Sequence, residues 1–175
     1  MKLEFRTLKE SEIDVRLAQV KQNGVTLLLY KDARCDMNIL DETVGPYNWK
    51  REHTRDNANC IVSIWDEEKK QWISKEDTGT ESFTEKEKGL ASDSFKRACF
   101  NWGIGRELYT APFIWVTSEN CSISGNKCYD KFKVEKIAYD DNKNIIGLSI
   151  INTSNKKRAF LLKPDGGKWW KAVLI

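Results

Sequence analysis

"EKEKGLASDSFKRACFNWGIGRELY", Glu85–Tyr109, is the stretch whose reading decides the fold. Ala91, Phe95, Ala98 and Trp102 recur at helical spacing and make one apolar stripe. Thr84 and Glu87, at its start, have the spacing of a capping box, and Gly103 is a natural stop. The spacing predicts a helix of about 19 residues, roughly 28 Å long, enough to cross a small sheet. Lys96 and Arg97 stand together on it with Phe95, Phe100 and Trp102 as neighbours. A helix that only covered a core would keep its cations away from its aromatics, so the pair points to something flat and negative.

The "GIGR" that follows, Gly103–Arg106, is no phosphate loop. A dinucleotide loop needs G-x-G-x-x-G after a strand and at a helix start, and a P-loop needs G-x-x-x-x-G-K-[ST]. Here the glycines come after a helix, so they read as a stop and a tight turn with Arg106 beyond. No nucleotide cofactor is expected.

Working outward, "SEIDVRLAQVKQNG" (Ser11–Gly24) places Ile13, Leu17 and Val20 at helical spacing, with Ser11 as cap and Gly24 as stop. "VTLLLY" (Val25–Tyr30) reads as a buried strand. Ala33, Met37, Leu40 and Val44 predict a second helix, capped by Asp32 and ended by Gly45-Pro46. Strands are expected over Tyr47–Thr54, Asn59–Trp65 and Gln71–Asp77, the last two joined by the polar "DEEKK", which is the pattern of an antiparallel meander. After the long helix, "APFIWV" is a strand, "DKFKVEKIAYDDNKNIIGLSII" is two strands around a turn at Asp140–Asn144, and "KRAFLL" is a third; the amphipathic "GKWWKAVLI" closes the chain. The fold class is α+β: short helices, a meander packed against a long helix, then a β-rich appendage. The expected division is a core over 1–118 and an appendage over 119–175.

At 175 residues the chain is long enough for one domain with a sizeable core. No run approaches the roughly 20 apolar residues of a membrane helix, and "MKLEFRTLKESE" lacks the apolar centre of a secretion signal. A cytoplasmic location is the expectation, with no membrane partner. Five scattered cysteines form no C-x-x-C and read as reduced, packed thiols; Cys121 and Cys128 are too far apart for a good zinc knuckle. His53 is the single histidine, which rules out a His-based triad within one chain. No metal site and no catalytic residue are expected.

The net charge of +3 is unevenly spread, since residues 119–175 hold 11 Lys/Arg against 6 Asp/Glu. A basic end suits a polyanion, and a solvated surface accounts for it nearly as well. Arg34 on the second helix, Lys50 and Arg51 around Trp49, Lys96 and Arg97 on the long helix, and Arg106 form a candidate DNA-binding set. Cations that track phosphates beside aromatic surface are what single strands require. The plain alternative is that Lys96 and Arg97 are surface charges paired with Asp93 or a nearby Glu. Trp169 and Trp170 stack bases, dock another subunit or simply close a small core. Asp66-Glu67-Glu68 belongs to a turn, whereas Glu76 and Asp77 leave a metal-dependent nuclease conceivable.

"LDETVGPYNW", a meander and then "KGLASDSFKRACFNWGIGRELY" together resemble the phage branch of the Rad/Sak/Mgm superfamily of single-strand annealing proteins. A dozen positions between Gly89 and Tyr109 match its helix pattern, Lys96, Arg97, Gly103, Gly105 and Arg106 among them, and the resemblance spans roughly residues 10–117. It implies ATP-independent pairing of complementary strands by an oligomeric ring, with single-stranded DNA in an outer basic groove. It further implies backbone contacts from Lys96 and Arg97, and from an early arginine to which Arg34 is the nearest equivalent. The second helix arginine of eukaryotic relatives is Phe100 here, so that contact is either missing or replaced by Arg106 or Lys50. Duplex DNA, and phage or host replication and single-strand-binding proteins, are further partners this implies. The rival functions are the nuclease and a phage interaction or assembly protein that keeps the fold without annealing.

Overall fold

The computed structural model describes residues 3–80 and 86–164, which form two compact units. One comprises Met1–Thr7 with Asp32–Arg106, the other Leu8–Lys31 with Glu107–Ile175. This replaces the expected division at 118/119. The strands after residue 118 are no appendage, because their sheet is built on strands from the start of the chain. Among the described residues, no helix is long and apolar enough to cross a membrane.

The second unit begins with a hairpin, β1 (Asp14–Lys21) and β2 (Gly24–Tyr30), where a helix over Ser11–Gly24 was expected. Ser11 lies instead in a single 3₁₀ turn, Glu10–Glu12. The reason for the difference is a bulge. Val15 and Leu17 alternate inward as in any strand, the register then slips between Leu17 and Gln19, and Val20 becomes the next inward residue. One added residue turns a spacing of two into a spacing of three, which imitates a helix. Gly24, expected as a helix stop, opens β2. A Cβ there would lie 2.4 Å from the Val116 carbonyl oxygen and 2.5 Å from the Trp115 ring.

To this hairpin are added β6 (Ile114–Thr117), β9 (Phe132–Tyr139), β10 (Ile145–Asn152) and β11 (Lys157–Leu162), in the order β11-β10-β9-β1-β2-β6, all antiparallel. β11 also approaches β6, so the sheet curls with its two edges near each other. The inner face carries Val25, Leu27, Ile114, Val116, Val134, Leu148 and Ile150, all buried. A short hairpin, β7 (Ile123–Ser124) and β8 (Lys127–Cys128), was not anticipated. Glu107 is buried in this unit and accepts the Leu8 backbone N–H at 2.7 Å.

The first unit holds α1 (Ala33–Val44), the meander β3 (Trp49–Thr54), β4 (Asn59–Asp66) and β5 (Gln71–Thr78), and α2 (Lys86–Trp102). Asp32 caps α1 by accepting the Cys35 N–H at 3.0 Å, and Gly45 ends it at φ 83°. The buried face of α1 runs through Cys35, Asp36, Ile39 and Leu40, offset from the expected stripe, with Ala33, Met37 and Val44 as its flanks. α2 has 17 residues and lies on β4 and β5. Phe95, Ala98 and Cys99 are fully buried against the sheet, and Trp102 donates its indole N–H to the Val62 carbonyl at 3.0 Å. Thr84 of the expected capping pair, like Trp169 and Trp170, falls outside the described residues. All five cysteines are free thiols and buried.

Gly24 gives a direct test of the hairpin. Gly24→Ala should destabilise the chain by about 1–3 kcal/mol, because the new methyl meets backbone and an indole that must move. A urea midpoint equal to that of the parent would show that β2 and β6 do not approach so closely.

Candidate single-strand interface

The six cations expected to line one groove are set apart by the first unit's geometry. Side chains alternate along a strand, so Arg51 faces α2 with Trp49 and His53, while Lys50 lies on the opposite face. The Arg51 guanidinium stands 4.9 Å from the Phe95 ring centroid, and Lys50 Nζ 5.2 Å from that of Trp72. Lys50 also pairs with Glu52 at 3.1 Å.

On α2, Arg97 leans toward β5 and donates to Asp77 at 3.3 Å. Asp93, the partner suggested by sequence, instead accepts from the backbone N–H and hydroxyl of Thr80. Lys96 projects about 100° further round the helix, half-buried and with no acidic partner among the described residues. Arg34 is held at the start of α1 by Asp32 at 2.8 Å. Arg106 is committed to the end of α2. Its Nε donates to the Phe100 carbonyl at 2.8 Å and its Nη2 to that of Asn101 at 2.9 Å, adding to the Gly103 N–H and the Lys75 ammonium that these carbonyls also accept.

The acidic residues are likewise engaged. Asp66 Oδ1 accepts the backbone N–H groups of Glu68 and Lys69 in the β4–β5 turn. Glu76 accepts from Asn59, and Asp77 from Asn101 as well as Arg97. No group of three or more His, Cys, Asp and Glu suited to a metal occurs among the described residues.

A different surface gathers cations and aromatics, on the outward face of the second unit's sheet. Strand register places Arg158, Ile151, Lys133, Asp14 and Tyr30 in one row across β11, β10, β9, β1 and β2. Beside it, Arg16 is opposite Leu28, and Thr26 is opposite Gln19 on one side and Trp115 on the other. Phe113 is 73 % exposed and stacks on Trp115, with ring planes 10° apart. Leu28 is 45 % and Tyr30 39 % exposed, while Arg16 and Lys133 face solvent. Trp115 lies flat because Gly24 beneath it has no side chain. The face thus offers open aromatic rings flanked by Arg16, Lys133 and Arg158, the last 3.5 Å from Glu135.

None of these residues stood out in the sequence. Arg16 was hidden by the helical reading of 11–24, and Phe113 and Trp115 by the apolar run of "APFIWV". The usable signal was alternation: in "VTLLLY", Thr26, Leu28 and Tyr30 share the face opposite Val25 and Leu27. No protein-family model, curated protein or solved structure matches the chain.

His53 provides a pH test of the first unit. Burial, then the charge of Arg51, hold its imidazole below the ordinary 6.5. The unfolded chain therefore binds a proton as pH falls through 6.5 while the folded chain resists it, and stability drops. Urea midpoints should fall between about pH 7.5 and 5.5, and less steeply in His53→Gln. Identical slopes would remove His53 as the cause. Arg106→Ala should cost about 1 kcal/mol through the loss of two hydrogen bonds at an exposed helix end, as chemical denaturation would show.

Proposed function

We propose that the chain binds single-stranded DNA and pairs complementary strands without nucleotide hydrolysis, as an oligomer of the annealing type. The observation that carries this is the outward face of the second unit's sheet. A single strand presents a line of phosphates and, beside it, unpaired bases with apolar faces. Arg16, Lys133 and Arg158 are spaced to meet the first, and Tyr30, Phe113 and Trp115 to stack with the second. Asp14 is the one carboxylate in the row, with Lys133 opposite it on β9 and Arg16 two residues along β1. Stacking and phosphate contacts carry no base sequence, which suits a protein that leaves sequence to Watson–Crick pairing.

The helix pattern from Gly89 to Tyr109 supports the same function. Lys96 and Arg97 provide the first unit's contacts, Arg97 by exchanging Asp77 for a phosphate. Lys50 and Arg51 contribute from the two faces of β3. Arg34 and Arg106 are further contacts, each exchanging its present partner, Asp32 or the last carbonyls of α2, for a phosphate. A ring assembly, phage-type recombination, duplex binding and contact with replication or single-strand-binding proteins belong to the same proposal, resting on the sequence resemblance.

The test measures oligothymidine binding by fluorescence anisotropy at two salt concentrations, and the pairing of dye-labelled complementary strands without ATP. Arg16→Glu with Lys133→Glu should weaken binding and reduce the salt slope by about 0.7 for each phosphate no longer neutralised. Phe113→Ala should cost about 1–3 kcal/mol of affinity with little change in salt slope. Lys96→Glu with Arg97→Glu should also weaken binding. A folded Arg16/Lys133 variant with unaltered affinity would remove this face from strand binding, and parent protein that binds but does not speed pairing would remove annealing.

A further inference from the structure

On the outer face of the second unit's sheet, charge and aromaticity are sorted by strand. β1 presents Arg16, Gln19 and Lys21, all exposed, with Asp14 at its start, and β9 adds Lys133 opposite Asp14. β2 and β6 present Leu28, Tyr30 and Trp115, with Phe113 just before β6. The boundary between cations and rings therefore runs along β1, and Arg158 on β11 lies on the cationic side of it. Among the described residues, Arg16, Lys21 and Lys133 have no ion pair, unlike Arg34, Lys50 and Arg97. Lys21 is opposite Gly24, over which the Trp115 ring lies, so this cation flanks the last ring of the series.

Beyond Lys21 the same unit has a hollow of about 340 Å³, lined by Gln22, Ser118, Ile123, Gly125 and Asn126. Two hairpins set its position. Gln22 is in the β1–β2 turn, Ser118 follows β6 and donates its backbone N–H to the Asn23 carbonyl at 3.0 Å, and Gly125-Asn126 is the β7–β8 turn. None of the lining residues is charged. Its polar side chains are two carboxamides and a hydroxyl, none with a hydrogen bond among the described residues. A carboxamide offers a donor and an acceptor side by side, and reverses them by turning over. That complements a nucleobase edge, where donors and acceptors are also adjacent. The hollow thus suits a base, and the cations beside it suit the backbone.

We propose that a bound single strand runs along β1 and that the base beyond Lys21 turns into this hollow to hydrogen-bond Gln22 and Asn126. Its phosphates lie on Lys133, Arg16 and Lys21, and its other bases over Tyr30, Phe113 and Trp115. This rests on the strand-binding reading of the face and adds a path, a length and a base pocket to it. From Asp14 to Lys21 is about 20 Å with the bulge allowed for, which holds roughly four nucleotides. Because both carboxamides can turn over, the pocket takes any base. It fixes where the strand sits without selecting sequence, as pairing by complementarity requires.

The experiment uses the full chain and unlabelled pentathymidines, one intact and the others abasic at each position in turn, competing with a fluorescein-labelled oligothymidine. Removing the base at one end only should weaken binding about fivefold, through lost neutral hydrogen bonds. Gln22→Ala with Asn126→Ala should weaken the intact strand by about the same factor, keep its salt slope, and make the abasic end no worse than the intact one. Lys21→Glu should weaken binding and lower the salt slope by about 0.7. All three side chains are exposed, so the variants should keep the parent's urea midpoint. Equal losses at the two ends, or a Gln22/Asn126 variant still sensitive to the abasic end, would overturn the base pocket while strand binding stands. Unaltered affinity in Lys21→Glu would overturn the path along β1. Parent protein that binds no strand at all would remove strand binding itself, and the pocket with it.

Discussion

The two-residue turn at Gln22-Asn23 folds β1 back onto β2, and the rest of the second unit is assembled on that hairpin. β9 pairs with β1 on one side and β6 with β2 on the other, and β10 and β11 extend the first edge. Inside the hairpin, the bulge between Leu17 and Gln19 keeps Val20 facing inward while Arg16 and Gln19 face out. Gly24 then allows Trp115 to lie flat on the outer face. Three local features, a turn, a bulge and a missing side chain, thereby set both the core and the exposed aromatic surface. In a sheet with a side-chain period of two, moving any of them by one residue would turn the faces over.

The first unit depends on a different constraint, the burial of Phe95, Ala98 and Cys99 against the meander. The charges around that contact work structurally as much as they await a partner. Arg51 covers the Phe95 ring, Lys75 stands 4.7 Å from the Trp102 ring centroid and donates to the Asn101 carbonyl, and Arg106 closes the helix end. Cations beside aromatics are thus explained in part without any ligand. Amphipathic side chains can cover apolar surface with their stems and keep their charge in water. What distinguishes the second unit's face is that its rings are open to solvent rather than covered.

Much of the chain was legible in advance. Asp32 and Gly45 bound α1 because a cap and a left-handed stop are local chemistry. The three meander strands follow their apolar alternation to within two residues, and Asp140 organises the β9–β10 turn by accepting the N–H groups of Asn142 and Asn144. The failure at Ser11–Gly24 has a specific cause, since a bulged strand and an amphipathic helix leave the same trace in Ile13, Leu17 and Val20. The candidate site was less legible than the elements. Adjacent cations on one helix invite grouping, yet Arg97 and Lys96 diverge around the axis, and alternation puts Lys50 and Arg51 on opposite faces of one strand.

The sequence by itself determined the local matters: the Asp32 cap, most turns and strands, the glycine stop at the end of α2, and the packing role of the cysteines. These depend on residues a few positions apart, so a linear reading reaches them. Only the tertiary structure decided that the C-terminal strands share a sheet with β1 and β2, and that Arg158, Lys133 and Tyr30 fall in one row. It also decided which charges are spent on holding the fold. Those relations join residues more than a hundred positions apart through strand register, and register is set by pairing partners that no local pattern names.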